Sequence, residues 1–480
     1  MPRPRAARYK RAAMDKVVAS AAEAVADVPD GATLLFGGFG VVQAWPNSLL
    51  LALRDRGVRD LTVIFNTPGV GPLSAQLLAE AGLVRKVIAS FAAYPTRLTA
   101  VEEQIKAGRI ELELVPQGTL AERVRAGGAG IPAFYTPTGV GTLVAEGKER
   151  RTFGGREYIL ETALTADYAL VRAHRADRVG NLVYRRGGRN LHPAFATGGR
   201  VTLAEVDEVV EPGAIDPECV VTPGIYVDRV VRTEHPLDVG EIRALSRRYG
   251  RAIHVEPRPD LGGLPPDLMT RRAALLLRDG EYVNLGLGLP TLLSNHVTGE
   301  RDIVLHSENG MLNFGPLAEE GDEDVDLYNA SGQLVSMLPG ASFFDSVSAH
   351  AMARGGRVTT VVLGAFQVSE RGDLANWRVP DTGKGGIGGA MDLAAGGARV
   401  LVVTYHATRT LAPKLVRECS YPLTALRCVR DIVTDLAYVT VEPEGFVLRE
   451  LAPGVELERV RSLTGAPLLV APDLREMRFA

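Results

Sequence analysis

The feature that most limits how this chain can fold is one order of local signals that occurs twice. The turn Asp30-Gly31 leads into the apolar run Thr33–Phe36. Gly37, Gly38 and Gly40 follow, then Pro46 ahead of the apolar stretch Ser48–Leu53. Far downstream, Asp279-Gly280 leads into Glu281–Leu285, then Gly286 and Gly288, then Pro290 ahead of Thr291–Val297. Two further echoes keep the order. Asp60–Phe65, ending in Asn66-Thr67-Pro68-Gly69, is matched by Asp302–Ser307, ending in Glu308-Asn309-Gly310. Ala169–Ala173 with its charged glycine turn is matched by Val362–Phe366 with another.

Short, continuously apolar runs alternating with helical stretches read as strands covered on both faces of an open, largely parallel sheet. The repeat therefore predicts an α/β chain of two similar domains, placed at residues 1–245 and 268–480. A linker at 246–267 is rich in Pro257, Pro259, Gly262, Gly263, Pro265 and Pro266, which oppose helix and central strand alike. Core helices are expected over Val17–Val28, Ser74–Ala81, Val101–Ala107 and Ala341–Ala353, and Gly127–Gly141 reads as a long irregular segment. Ligands of such sheets bind beyond the carboxyl ends of the strands, where these glycine turns lie.

Composition removes several classes. The net charge is −3 and no basic block is present, which argues against nucleic acid. No run approaches the ~18 apolar residues of a membrane span. The eight histidines and three cysteines show no metal-ligand spacing, and neither a GxSxG elbow nor a phosphate-binding GxxxxGK[ST] loop occurs. No metal or cofactor is expected. Basic residues crowd the first sixteen positions, read here as a frayed start rather than a targeting segment, so a cytoplasmic protein is expected.

Three segments carry candidate chemistry. The paired glycine turns let backbone approach a ligand closely. The acid Glu308 stands at a strand end among Val304, Leu305, Met311 and Leu312, where a carboxylate is costly unless paired or used. Gly383–Gly389 holds five glycines in seven residues, a loop suited to presenting N–H groups.

Ser307-Glu308-Asn309-Gly310, Leu338–Phe344, Gly372–Trp377 and Gly388-Gly389-Ala390-Met391-Asp392-Leu393 resemble the second half of the 3-oxoacid CoA-transferases of the succinyl-CoA:3-ketoacid type. Gly37–Gly40 with Pro46, Pro116–Arg123 and Gly127–Gly141 are similar to the first half. The resemblance implies two fused domains of the CoA-transferase fold with a site between them, acting on an acyl-CoA and a carboxylic acid, in a homodimer. It implies Glu308 as nucleophile and a glutamyl-CoA thioester formed by ping-pong chemistry. It places Gly389 and Asn284 at the acyl and oxyanion site, with Asn66 and Gln117 reaching over from the first half. Gly37, Gly38, Gly40, Gly286, Gly288, Asn309 and Gly388 would form substrate or CoA loops. The chain departs from the family pattern at Trp45, Thr67, Gly198-Gly199-Arg200 and Ser331-Gly332, on the side expected to hold the acid. Trp45 reads either as a pocket wall or as core. An acyl-CoA hydrolase and a non-catalytic acyl-CoA sensor fit the same fold.

Overall fold

The computed structural model describes residues 14–40, 44–69, 73–92, 99–236, 238–252, 262–297, 301–380 and 385–479. The basic start up to Ala13 lies outside them, as do Gln43 beside Trp45, Pro257 and Pro259 of the expected linker, and Gly383 of the glycine loop.

Each half of the chain is built on one sheet. In the first, strands run in the order Arg229–Arg232, Gly199–Val210, Ala166–Asp177, Thr33–Phe36, Leu61–Phe65, Val84–Ala89, Glu111–Leu114, every neighbour parallel. In the second, Val304–Ser307, Tyr282–Leu285, Thr360–Leu363 and Arg399–Val403 form the parallel centre. The echo is structural. Thr33–Phe36 sits between Leu61–Phe65 and Ala166–Asp177, as Tyr282–Leu285 sits between Val304–Ser307 and Thr360–Leu363. Leu34 and Phe36 enter one apolar cluster and Leu35 the opposite one, as period-2 side chains must when both faces are covered.

The second sheet is more mixed than expected. Met311–Leu317 and Val335–Phe343 join antiparallel at one edge, and Val429–Val433, Ala437–Glu442 and Gly445–Leu451 do so towards the other. Tight turns join Val304–Ser307 to Met311–Leu317 and link the three later strands, whereas residues 318–334 connect Met311–Leu317 to Val335–Phe343; none of these links needs a helical crossover, since antiparallel pairing requires none.

Local chemistry explains the element ends. The helix Asn47–Arg56 stops at Gly57, whose φ of 73° only glycine adopts cheaply, and Arg54 and Arg56 face the negative end of its dipole. The expected helix over Val17–Val28 shrinks to Ala21–Ala24. Ser20 caps it by accepting from the Glu23 N–H, and β-branched Val17 bridges to Val230 instead. Over Ala341–Ala353 a strand, Val335–Phe343, comes first, and the helix Ser346–Arg354 waits for its Asp345 cap, which accepts from the Ser348 N–H at 2.7 Å. The Gly127–Gly141 stretch is ordered: Gly127 and Gly128 end the helix Gln117–Gly128, and Ala133–Thr136 pairs in a small antiparallel sheet. The helix Val239–Ala252 runs through Ser246, so the first part of the expected linker is helical; its helix-breaking prolines all come later. No helix among the described residues is long and apolar enough to cross a membrane.

Candidate active site

Glu308 follows the last residue of Val304–Ser307, and the chain reverses at once into Met311–Leu317. Gly310 makes the reversal possible: its φ is 106°, and a Cβ there would sit 1.9 Å from the Phe344 carbonyl oxygen. The turn leaves the Glu308 carboxylate on the wall of a chamber of about 380 Å³ between the two halves. Its Oε2 is buried and finds no partner within the protein. Burial pushes the Glu308 pKa up; its own backbone N–H and the Asn284 side chain oppose the rise.

Asn284 stands in register beside His306 and donates to the His306 ring Nδ1 at 2.9 Å and to its carbonyl at 3.3 Å. Burial holds His306 down to about 3, so that ring is neutral, and it stacks on Phe344 at 6.2 Å. Asn284 is thus a buried support behind Glu308.

The first half supplies Phe39, Gly40, Asn66, Thr67, Phe91 and Gln117 to the chamber. Asn66 is locked by Ser90, whose hydroxyl donates to its Oδ1 and whose N–H donates to its carbonyl at 3.2 Å. The glycine loop of the second half threads between Ser90 and Gln117. The Gly388 N–H donates to the Ser90 carbonyl at 3.0 Å, and the Gly388 carbonyl accepts from the Gln117 N–H at 2.9 Å. One residue on, the Gly118 N–H donates to the Asp392 carboxylate at 2.8 Å. Asp392 is fully buried, also accepts from the Thr138 hydroxyl at 3.1 Å, and lies 3.5 Å from the Arg354 guanidinium. The halves meet so closely that side chains are excluded. A Cβ on Gly389 would come within 2.9 Å of Gln117 Oε1, and one on Gly118 within 2.6 Å of the buried His350 ring.

The structure therefore brings Glu308, Gly389, Asn66, Gln117, Gly40, Gly286, Gly288 and Gly388 to one chamber. Gly37, Gly38 and Asn309 are not on its wall. Gly37 clears the ring of His192, which a Cβ would meet at 2.2 Å, and Gly38 clears Trp45 at 2.6 Å. Asn309 turns away to donate to the Tyr328 carbonyl at 2.9 Å. These two glycines serve strand-to-helix packing. Trp45 is core: it is fully buried, 5.9 Å from the ring of Phe36. The departures Thr67 and Ser331 do line the chamber, and the Ser331 hydroxyl takes the Gly288 N–H at 3.3 Å. Gly198 and Gly199 pack against Val124 and Ala169 in the first half.

Sequence reading missed three contributors. Asp392 was visible inside the Gly388–Leu393 motif, but its role depends on where the first half docks. His350 stands on the helix Ser346–Arg354 with Nδ1 2.8 Å from the Ser346 carbonyl. Lys414 reaches the chamber from a stretch with no motif signal. Among the described residues no group of histidines, cysteines and acids is placed to hold a metal.

The family model described as coenzyme A transferase matches residues 18–233 and 267–463. A human succinyl-CoA:3-ketoacid coenzyme A transferase, named mitochondrial, is 42% identical over 96% of this chain and 92% of its own length. One subunit of a probable succinyl-CoA:3-ketoacid coenzyme A transferase from Bacillus subtilis is 51% identical over 45% of this chain and 90% of its own length. The crystal structure of an acyl-CoA transferase from Escherichia coli O157:H7 superposes with a TM-score of 0.77 at 22% identity, covering 97% of this chain and 96% of that one. The mitochondrial naming of the full-length relative overturns the cytoplasmic expectation.

Proposed function

The chain belongs to the coenzyme A transferase family and is a CoA-transferase, and on that premise we propose that it works through a covalent Glu308–CoA thioester, from a succinyl-type donor to a 3-oxo acid. The observation that carries this reading is the Glu308 carboxylate, alone among the described acids on the wall of an apolar interdomain chamber, with a buried and unpartnered oxygen. A desolvated carboxylate is a stronger nucleophile than a hydrated one. The relatives' names support the donor and acceptor classes.

The steps balance without a further reactant. The Glu308 carboxylate attacks the thioester carbonyl, the C–S bond breaks, and CoA leaves as thiolate with a mixed anhydride behind it. The thiolate attacks the glutamyl carbonyl and releases the first acid as its carboxylate, leaving Glu308 bound to CoA. The second acid reverses both steps. Each addition places charge on an oxygen; the Gly388 N–H is already given to Ser90, so Gly389, which lines the same chamber as Glu308, is the backbone donor assigned to that oxygen. A backbone donor so placed contributes about 3 kcal/mol. The tight Ser90–Gly388–Gln117 seam keeps that loop from moving as charge develops.

Intact mass after mixing with succinyl-CoA tests the reading. The expected result is a covalent gain of CoA less water, discharged by a 3-oxo acid such as acetoacetate. No adduct on rapid quenching, or CoA release at the same rate with and without acceptor, overturns it. The homodimer belongs to this reading, and a monomeric mass by sedimentation at micromolar concentration counts against it.

A pH consequence follows from burial. The reactive form is the carboxylate and its pKa is raised, so activity falls as pH drops through that raised value. The acid limb of kcat/KM is expected above the ordinary glutamate value of about 4.3. Asn284→Ala, which removes an interaction favouring the charged form, is expected to move the limb higher still.

A further inference from the structure

We propose that the Ser90 hydroxyl is a positioning group for the transfer reaction. It fixes which way round the Asn66 amide stands, so that the amide presents N–H groups, and not its oxygen, to the oxygen that gains charge beside Glu308. The inference rests on Glu308 being the nucleophile and deepens that reading.

Asn66 and Ser90 stand just beyond the adjacent parallel strands Leu61–Phe65 and Val84–Ala89, whose last residues, Phe65 and Ala89, are in register. Neighbouring strands lie about 4.8 Å apart, so a side chain as short as serine's reaches across. Ser90 is fully buried and off the chamber wall, while Asn66 is on it together with Glu308 and Gly389. An asparagine amide has an acceptor at one end and donors at the other, and its partners decide which end faces where. Here the supply of protons decides. The Asn66 carbonyl accepts the Ser90 N–H at 3.2 Å and the Phe91 N–H at 3.0 Å, which fill its two lone pairs. The Ser90 hydroxyl has one proton. It also lies 3.0 Å from that carbonyl, but the acceptor with room is the Asn66 Oδ1. With Oδ1 turned to Ser90, Nδ2 is the end left to the chamber. The reversed amide would require the carbonyl to accept three protons, and would turn an oxygen toward developing negative charge.

The backbone of Ser90 registers a second donor. Its carbonyl accepts the Gly388 N–H at 3.0 Å, which pins the glycine loop one residue before Gly389. Ser90 thus ties a side-chain donor of the first half to a backbone donor of the second. The bond to Gly388 survives removal of the hydroxyl, so a variant separates the two contributions. The chamber wall is mainly aliphatic and aromatic, with Phe39, Phe91, Leu289 and Phe366 among its residues. Low-dielectric surroundings strengthen both the help of a correctly turned amide and the harm of a reversed one.

The test is a double-mutant cycle, with kcat and KM for succinyl-CoA measured on Ser90→Ala, Asn66→Ala and the pair. Ser90→Ala is expected to lower kcat about 20-fold with KM within about twofold, because the freed amide reverses and the lost donor is one aimed at the transition state. Asn66→Ala is expected to lose about 100-fold. Adding Ser90→Ala to it is expected to change kcat by less than about threefold, since no amide remains to orient. Asn66→Asp keeps an oxygen for Ser90 and replaces the N–H groups by a second oxygen, and it is expected to fall at least as far as Asn66→Ala. That variant leaves Ser90 in place, so it tests the orientation even if Ser90→Ala does not fold. Losses that multiply in the double variant overturn the inference, because Ser90 then acts through packing alone. An Asn66→Asp enzyme of parental rate also overturns it, because the chamber then takes an oxygen. The mass of the Glu308–CoA adduct in the parent separates the two claims: adduct with multiplying losses removes only the role of Ser90, and absence of adduct removes the nucleophile and the inference with it.

Discussion

Glu308→Ala is expected to lower kcat by at least about 10⁴-fold and to abolish the covalent CoA adduct, because no other described carboxylate lines the chamber. KM for acyl-CoA should change little, since the carrier's distant contacts are untouched. The steady-state rate and the intact mass check this together, and an adduct persisting in the variant would assign the nucleophile elsewhere. Glu308→Gln adds a thermodynamic reading. A carboxyl whose folded-state pKa is raised contributes stability below its unfolded pKa and loses it as pH rises through the folded value. At neutral pH the charged side chain is therefore a strain on the fold, and the glutamine variant is expected to melt higher than the parent. The difference should vanish near pH 4, where both forms are neutral. Equal melting temperatures at pH 7 would mean that the carboxylate is better solvated than its burial indicates.

Asp392→Ala is expected to be damaging too, though far less so than loss of Glu308, and through position rather than chemistry. The carboxylate holds the start of the helix Gln117–Gly128 against the glycine loop, accepting from the Gly118 N–H and the Thr138 hydroxyl of the other half. Its removal leaves those donors and the Arg354 charge buried without it, a cost of about 3–5 kcal/mol. A shift of about 1 Å between Gln117 and Gly389 is enough to cost on the order of 100-fold in rate. The variant should lose about 100-fold in kcat with a lowered melting temperature, while Asp392→Asn, which keeps an acceptor oxygen, recovers much of both. A variant that melts lower but turns over at the parent rate would reduce Asp392 to a purely structural clamp.

These two residues show how unevenly the site was legible. Glu308 was readable because its cost is local: an acid between Leu305 and Met311, before an Asn-Gly turn, needs an explanation within a few residues of chain. The glycine turns looked equivalent in sequence, yet Gly286 and Gly288 reach the chamber while Gly37 and Gly38 make room for His192 and Trp45. His192 comes from a distant part of the first half, and whether Trp45 folds back over Gly38 depends on how the following helix packs, so spacing alone had no means to separate the two uses. Trp45 was ambiguous for the same reason. Lys414 gave no signal at all, since a single lysine beside a proline is ordinary surface composition until strand ends bring Ala365 and Thr404 beneath it.

The repeated order of turn, strand, glycines and helix, the parallel core and the turn that carries Glu308 are written along the chain, because hydrophobic periodicity and turn chemistry act over a few residues. The clamp at Asp392, the seam from Ser90 through Gly388 to Gln117 and the chamber that brings Asn66 and Gln117 to the wall that carries Glu308 exist only once the halves dock. Each joins residues far apart in the chain, and such contacts are chosen by the packing of whole sheets, which no local pattern encodes.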